Sequence, residues 1–272
     1  MVERFAHGWL SVRDIHPAAP TRAQTRLFCL PHAGSGTAMF NMWRRSLPAF
    51  VEVSPIMLPG REARLSEANY TDSEALIEQI ASAVADHLDL PYAIFGHSMG
   101  AWLASELAQR LVAKCLRPPG HLFVSGRNAA HLPLSVSDLH KLPDDEFLDA
   151  LGRRYGAMPK EVLETPELIE LYLPILRADM TLIERHDYQL RHKLACSISV
   201  FAGSEDGNVT QEKLMAWQEH TTGAFEMRWF EGDHFYLNGA SRPALLELIA
   251  NRLKDALPGL QSLNELSGSD AQ

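Results

Sequence analysis

Three cysteines in 272 residues, Cys29, Cys115 and Cys196, are too few and too widely spaced for a disulfide framework or a thiolate metal site. Reduced, buried thiols in a reducing compartment are the expectation. No uninterrupted apolar run approaches the ~18 residues that a membrane span requires. Met1 to Leu10 carries no charged leader followed by a long apolar stretch. A soluble, cytoplasmic protein with no membrane partner is therefore expected. Lys and Arg number 25 against 34 Asp and Glu, for a net charge of −9, and no basic cluster stands out, which argues against nucleic acid as a partner. There is no internal repeat and no low-complexity block. The last segment, 261–272, is polar and small and reads as a flexible tail.

Within those limits, a chain of this length buries a substantial core and suits one large α/β domain with an insertion better than two independent units. Apolar runs that break at Pro or Gly recur with helical patterns between them, the signature of a mostly parallel central sheet with helices on both faces. Strands are expected near Arg26–Leu30, Glu52–Met57, Tyr92–Phe95, His121–Ser125, Ile198–Phe201 and Glu226–Phe230. Thr71-Asp72-Ser73-Glu74 reads as a capping box, followed by Leu76, Ile77, Ile80, Val84 and Leu88 at helical spacing. Between Gly126 and His192 the pattern changes, because a crossover between parallel strands needs one helix and this stretch has room for several. Helices are expected near Asp144–Tyr155, Pro159–Leu163 and Glu167–Tyr188, with Pro174 a kink in the last. The resulting division is a core of 1–125 and 193–260 with a helical cap, 126–192, over the rim. Tyr155, Met158 and Met180 lie in that cap, with no individual role assigned by the sequence.

The densest chemical signal is Tyr92-Ala93-Ile94-Phe95-Gly96-His97-Ser98-Met99-Gly100-Ala101, an apolar strand running through Gly-x-Ser-x-Gly into a helix expected over about Ala101 to Lys114. A serine on so sharp a turn needs small flanking residues and is pushed into the open at a helix start, where unpaired N–H groups stabilise negative charge. Ala101, Ala104, Ser105 and Ala108 let that helix pack closely. Ser98 is the candidate nucleophile, and it needs a base and a group to orient the base. Two downstream strand ends offer them, Ala202-Gly203-Ser204-Glu205-Asp206 and Glu231-Gly232-Asp233-His234-Phe235. His234 is the favoured base, while His32 and His97 are expected to shape the pocket or donate hydrogen bonds. Asp206 is the favoured acid, Glu205 its fallback and Asp233 a distant third. For the oxyanion, the Met99 backbone N–H is one expected donor and Ala33, in the loop after the first strand, the other, with Gly34 its competitor.

Several segments together resemble a family. Leu30-Pro31-His32-Ala33-Gly34, Phe40 and Trp43, Leu58-Pro59-Gly60-Arg61-Glu62-Ala63-Arg64, Gly96-His97-Ser98-Met99-Gly100-Ala101, Leu173-Pro174-Ile175-Leu176-Arg177-Ala178-Asp179, Gly203-Ser204-Glu205-Asp206 and Gly232-Asp233-His234-Phe235 are similar to the type II thioesterases. These are stand-alone α/β-hydrolases that accompany polyketide synthases and nonribosomal peptide synthetases. The resemblance covers about Trp9 to Leu257. Ser35 departs from it, standing where the family commonly has a second glycine. The resemblance implies an α/β-hydrolase fold and hydrolysis of acyl thioesters on the phosphopantetheine arm of acyl- or peptidyl-carrier domains, unblocking stalled assembly lines in antibiotic biosynthesis. It implies no metal and no cofactor, since the phosphopantetheine belongs to the substrate. The triad chemistry alone also fits a carboxylesterase or lipase-like hydrolase of oxygen esters, an acyltransferase or cyclase, or a catalytically silent binding module.

Overall fold

Leu27 and Cys29 face one side of their strand and Phe28 and Leu30 the other, and all four are fully buried. A strand buried on both sides needs cover on both, which parallel sheets obtain from helical crossovers. The computed structural model describes residues 4–6, 8–12, 23–132, 134, 138–155, 165–187 and 189–257. Strand β1 (Arg4–Ala6) pairs antiparallel with β2 (Leu10–Val12). The main sheet comprises β3 (Thr25–Leu30), β4 (Val51–Pro55), β5 (Tyr92–His97), β6 (His121–Ser125), β7 (Ser197–Gly203) and β8 (Phe225–Phe230), all parallel. Their order across the sheet is β4-β3-β5-β6-β7-β8. The helices are α1 (Trp43–Ser46), α2 (Ser73–Ala85), α3 (Met99–Ala113), α4 (Asp144–Tyr155), α5 (Pro166–Arg185), α6 (Gln211–Met215) and α7 (Arg242–Asp255). Among the described residues no helix is long and apolar enough to cross a membrane.

Two hydrophobic cores follow from this alternation. On one face Ile77 and Ile80 of α2 and Leu103 and Leu107 of α3 pack over Phe28, Ile94 and Val200. On the other, Trp43 of α1 and Leu245 and Ile249 of α7 cover Leu27, Phe95 and Phe201. Each such fully buried side chain contributes about 2 kcal/mol relative to an exposed one, before the entropy of ordering the chain is counted.

The chain leaves β3 toward β4 on one side, whereas β5 lies on the other side of β3. Such a reversal opens a crevice at the strands' carboxyl ends, between β3 and β5. The loop after β3 and the turn after β5 therefore meet there. Their approach depends on missing side chains: a Cβ at Gly96 would lie 1.9 Å from the Gly100 carbonyl oxygen, and one at Gly100 would lie 2.1 Å from that of Leu30.

Several expectations shift in detail. The strand expected over Glu52–Met57 ends at Pro55 because the next residues turn toward the N-terminal hairpin: Ile56 bridges Leu10, and Met57 N donates to Trp9 O at 2.7 Å. The strand at Tyr92 runs on to His97, since Gly96 and His97 still pair with Val124 and Ser125 of β6. The capping box moves by one residue, as Asp72, not Thr71, caps α2 by accepting from Ala75 N at 3.1 Å. Cys29 and Cys196 are buried as expected, but Cys115 is exposed because it lies on the turn just past α3; all three thiols are free. The last cap helix spans Pro166 to Arg185 and continues through Pro174. The expected helix at Pro159–Leu163, Met158 and the 261–272 tail lie outside the described residues.

Gly100→Ala drives a methyl group into the Leu30 backbone, and neither partner is a flexible side-chain end. We expect a stability loss of about 3 kcal/mol or more, read as a lowered urea midpoint at unchanged slope.

Candidate active site

Ser98 occupies the turn between β5 and α3 with φ 55° and ψ −113°, a left-handed conformation that costs a non-glycine residue about 1–3 kcal/mol. The turn is held from below by Ser98 N, which donates to Ser125 O at 2.8 Å. Met99, fully buried, opens α3, so its N–H belongs to the first helical turn, where no carbonyl lies one turn back.

Downstream, the turn after β7 and the turn after β8 bring Asp206 to His234. His234 Nδ1 donates to Asp206 Oδ2 at 2.7 Å, and both residues are buried. The other carboxylate oxygen accepts from Asn208 N and Nδ2, each at 3.0 Å. Burial alone would push the Asp206 carboxyl up, but the hydrogen bonds from His234 and the Asn208 donors hold it below the ordinary carboxylate range. An acceptor-only carboxylate fixes the proton on Nδ1 and leaves the Nε2 lone pair of the neutral ring available. Glu205 is exposed, and exposed Asp233 accepts from Phe235 N at 2.7 Å. Of the three candidate acids, Asp206 is the one hydrogen-bonded to His234.

Two further histidines surround the pair. The His97 ring lies 4.9 Å from that of His234, and its Nδ1 hydrogen-bonds Ser125 Oγ at 2.9 Å, which in turn meets Tyr236 OH at 2.7 Å. Complete burial holds His97 well below the usual imidazole range. His32 Nδ1 donates to Ala33 O at 2.9 Å, and burial lowers its pKa to about 4. Both rings are thus neutral near pH 7, as suits residues that shape a pocket.

Ala33, Ser98 and His234 share the wall of a cavity of about 60 Å³. Its remaining apolar wall comes from Leu151 and Tyr155 of α4, from Leu176, Met180 and Ile183 of α5, and from Phe235. The Tyr155 ring lies 5.1 Å from that of His234. A larger adjoining cavity of about 540 Å³ also touches His32, Ala33 and Leu176 and extends along Arg61, Glu62 and Leu171. Gly34, the competitor of Ala33 as oxyanion donor, directs its N–H away, to Asp179 Oδ2 at 2.8 Å. Asp179 is itself gripped by Arg61 through Nη1 and Nη2 at 2.8 and 2.7 Å. Asn208, Ser125, Tyr236 and this Arg61–Asp179 pair were not predicted as site residues. Arg61 and Asp179 lie within distinctive sequence segments, but their 118-residue separation hides the contact. Among the described residues no group of three or more His, Cys, Asp or Glu side chains is placed to hold a metal ion.

Residues 25–253 match the family described as Thioesterase domain. The chain belongs to the thioesterase family. RedJ, a thioesterase of the prodiginine pathway in Streptomyces coelicolor, superposes with a TM-score of 0.80 at 37% identity, covering 88% of this chain and 96% of RedJ. The type II thioesterase BorB of the borrelidin biosynthetic cluster superposes with a TM-score of 0.77 at 34% identity, covering 90% of this chain and 96% of BorB. Among thioesterases, the likeness is therefore to the type II class. A curated relative of Brevibacillus parabrevis, Linear gramicidin dehydrogenase LgrE, is 37% identical over 252 residues, 92% of this chain and 95% of LgrE. In this thioesterase Glu62 ties the loop after β4 to the segment after β3, accepting from Thr37 N, Thr37 Oγ1 and Ala38 N at 2.9, 2.8 and 2.9 Å.

The depressed Asp206 pKa has a stability consequence. Its contribution is fully present above the unfolded carboxylate pKa of about 4 and is lost as pH falls through the lower folded value. Asp206→Asn is accordingly expected to lower the urea midpoint at pH 7, with the gap to the unsubstituted enzyme closing below pH 4.

Proposed function

We propose that this thioesterase hydrolyses acyl groups from the phosphopantetheine arm of acyl- or peptidyl-carrier domains in a polyketide synthase or nonribosomal peptide synthetase. The observation that carries the reading is the buried Asp206–His234 hydrogen bond ending on the cavity that Ser98 also lines. Similarity to thioesterases of such biosynthetic pathways supports the choice of substrate.

In this reading the Ser98 hydroxyl attacks the thioester carbon as His234 Nε2 takes its proton, and Asp206 stabilises the imidazolium. The carbonyl electron pair moves to oxygen, facing the N–H groups of Met99 and Ala33. When the pair returns, the C–S bond breaks and the departing sulfur takes the proton from His234. Water then repeats the sequence on the acyl-serine, releasing the acid and restoring Ser98. The chemistry calls on neither a metal nor a redox cofactor. The 126–192 cap supplies the acyl cavity wall through α4 and α5, and the larger cavity beside Arg61 and Leu171 accommodates the arm. The free thiols suit a cytoplasmic setting.

Ser98→Ala is expected to lower kcat by at least about four powers of ten while leaving thermal stability near that of the unsubstituted enzyme. Intact-mass spectrometry of quenched reactions should show an acyl adduct on the unsubstituted chain and none on the variant. Specificity constants should favour acyl-carrier protein over the same acyl group on a simple aryl oxygen ester. A large preference for the oxygen ester, or undiminished turnover by Ser98→Ala, would sink the proposal.

A further inference from the structure

The loop that carries Ala33 is bolted to the helix that walls the acyl cavity. Asp179 of α5, 1% exposed, accepts Gly34 N on Oδ2 at 2.8 Å, and Arg61 holds both its oxygens. Arg61 Nη1 also donates to Ser35 O at 3.0 Å, so one guanidinium ties the loop and the helix together. The Ala33–Gly34 peptide is thereby fixed at both ends, its N–H by Asp179 and its C=O by His32 Nδ1. Packing adds to the bolt: Gly34 has φ +75°, and Leu176 Cδ2 would lie 2.4 Å from a Cβ there. Leu176 and Met180, close to Asp179 on α5, face the cavity that Ser98 opens into.

We infer that Asp179, held by Arg61, is a positioning residue for the Ala33 N–H, and that the oxyanion site is complete only while α5 is seated. This rests on the thioesterase reading above and adds to it a source of acyl selectivity. An acyl group too bulky for the cavity pushes on Leu176 and Met180, displaces α5, and through Asp179 drags the Ala33–Gly34 peptide and, across the Ala33 Cα, the adjoining peptide that carries the Ala33 N–H. Selection against bulk then falls on kcat, because the donor acts on the oxyanion and hardly on the bound thioester. Both partners being buried and paired, the link is stiff, and a displacement of about 1 Å at the donor suffices to cost about a hundredfold in rate.

The test uses Asp179→Asn and Arg61→Lys in the full chain, with a ladder of pantetheine thioesters from acetyl to octanoyl. Expected for both is a fall in acetyl kcat of about 10- to 100-fold with KM within about twofold, and a flattened dependence of kcat on acyl length. Affinity for a trifluoromethyl ketone, whose Ser98 adduct carries the oxyanion, should fall in proportion to kcat/KM. A merely structural role would lower the melting temperature without that proportion. Should either single variant fail to fold, Arg61→Met combined with Asp179→Leu removes the tether without stranding a buried charge and is expected to show the same pattern. Folded variants with unchanged kcat and ketone affinity, or with a rise in KM alone, overturn the inference. An unsubstituted enzyme that is inert toward every thioester would instead overturn the underlying function, so the two failures are distinguishable.

Discussion

The left-handed backbone at Ser98 constrains everything around it. A non-glycine residue at φ 55° is stable only where its neighbours over-determine it, and here they do so from three directions. Ser125 O takes its N–H, the Gly100 backbone closes against Leu30, and α3 begins immediately with a fully buried turn. Because β3 and β5 flank the point where the sheet's winding reverses, the turn opens into a crevice. The hydroxyl, the loop after β3 and the helix start are brought to one point by the topology of the sheet.

Electrostatics then distinguishes one imidazole from its neighbours. The His97 ring lies 6.0 Å from that of His32 and 4.9 Å from that of His234, and three charged rings so close would repel strongly in a poorly solvated site. Burial keeps His32 and His97 neutral, and their Nδ1 atoms engage uncharged partners, Ala33 O and Ser125 Oγ. His234 faces a carboxylate, whose second oxygen is occupied by Asn208. A positive charge arising on His234 is thus compensated, and no other charged ring competes with it.

Much of this was legible in the chain because parallel strands buried on both faces read as apolar runs between Gly and Pro. All six strands of the main sheet, and the helices at Asp144–Tyr155 and near Glu167, fall where periodicity places them. The preference for Asp206 over Glu205 on the glycine-bounded turn agrees with the structure, in which Asp206 meets His234 and Glu205 is exposed. Thr71 and Asp72 are both good caps, and a one-residue shift in the first helical turn decided between them. The Arg61–Asp179 and Ser125–Tyr236 contacts bridge distant segments, and no local pattern encodes such pairings.

The position of β8 bears on how the site comes apart. Among the described residues it is bonded to β7 alone, its residues are half-buried to exposed, and the chain leaving it carries His234. β5, which leads to Ser98, is buried throughout and bonded on both sides. Local opening is easiest where backbone pairing is one-sided and apolar cover thin, so amide exchange should be faster along β8 than along β5. The imidazole of His234 therefore hangs from a border whose backbone opens more readily than the strand that leads to the Ser98 hydroxyl.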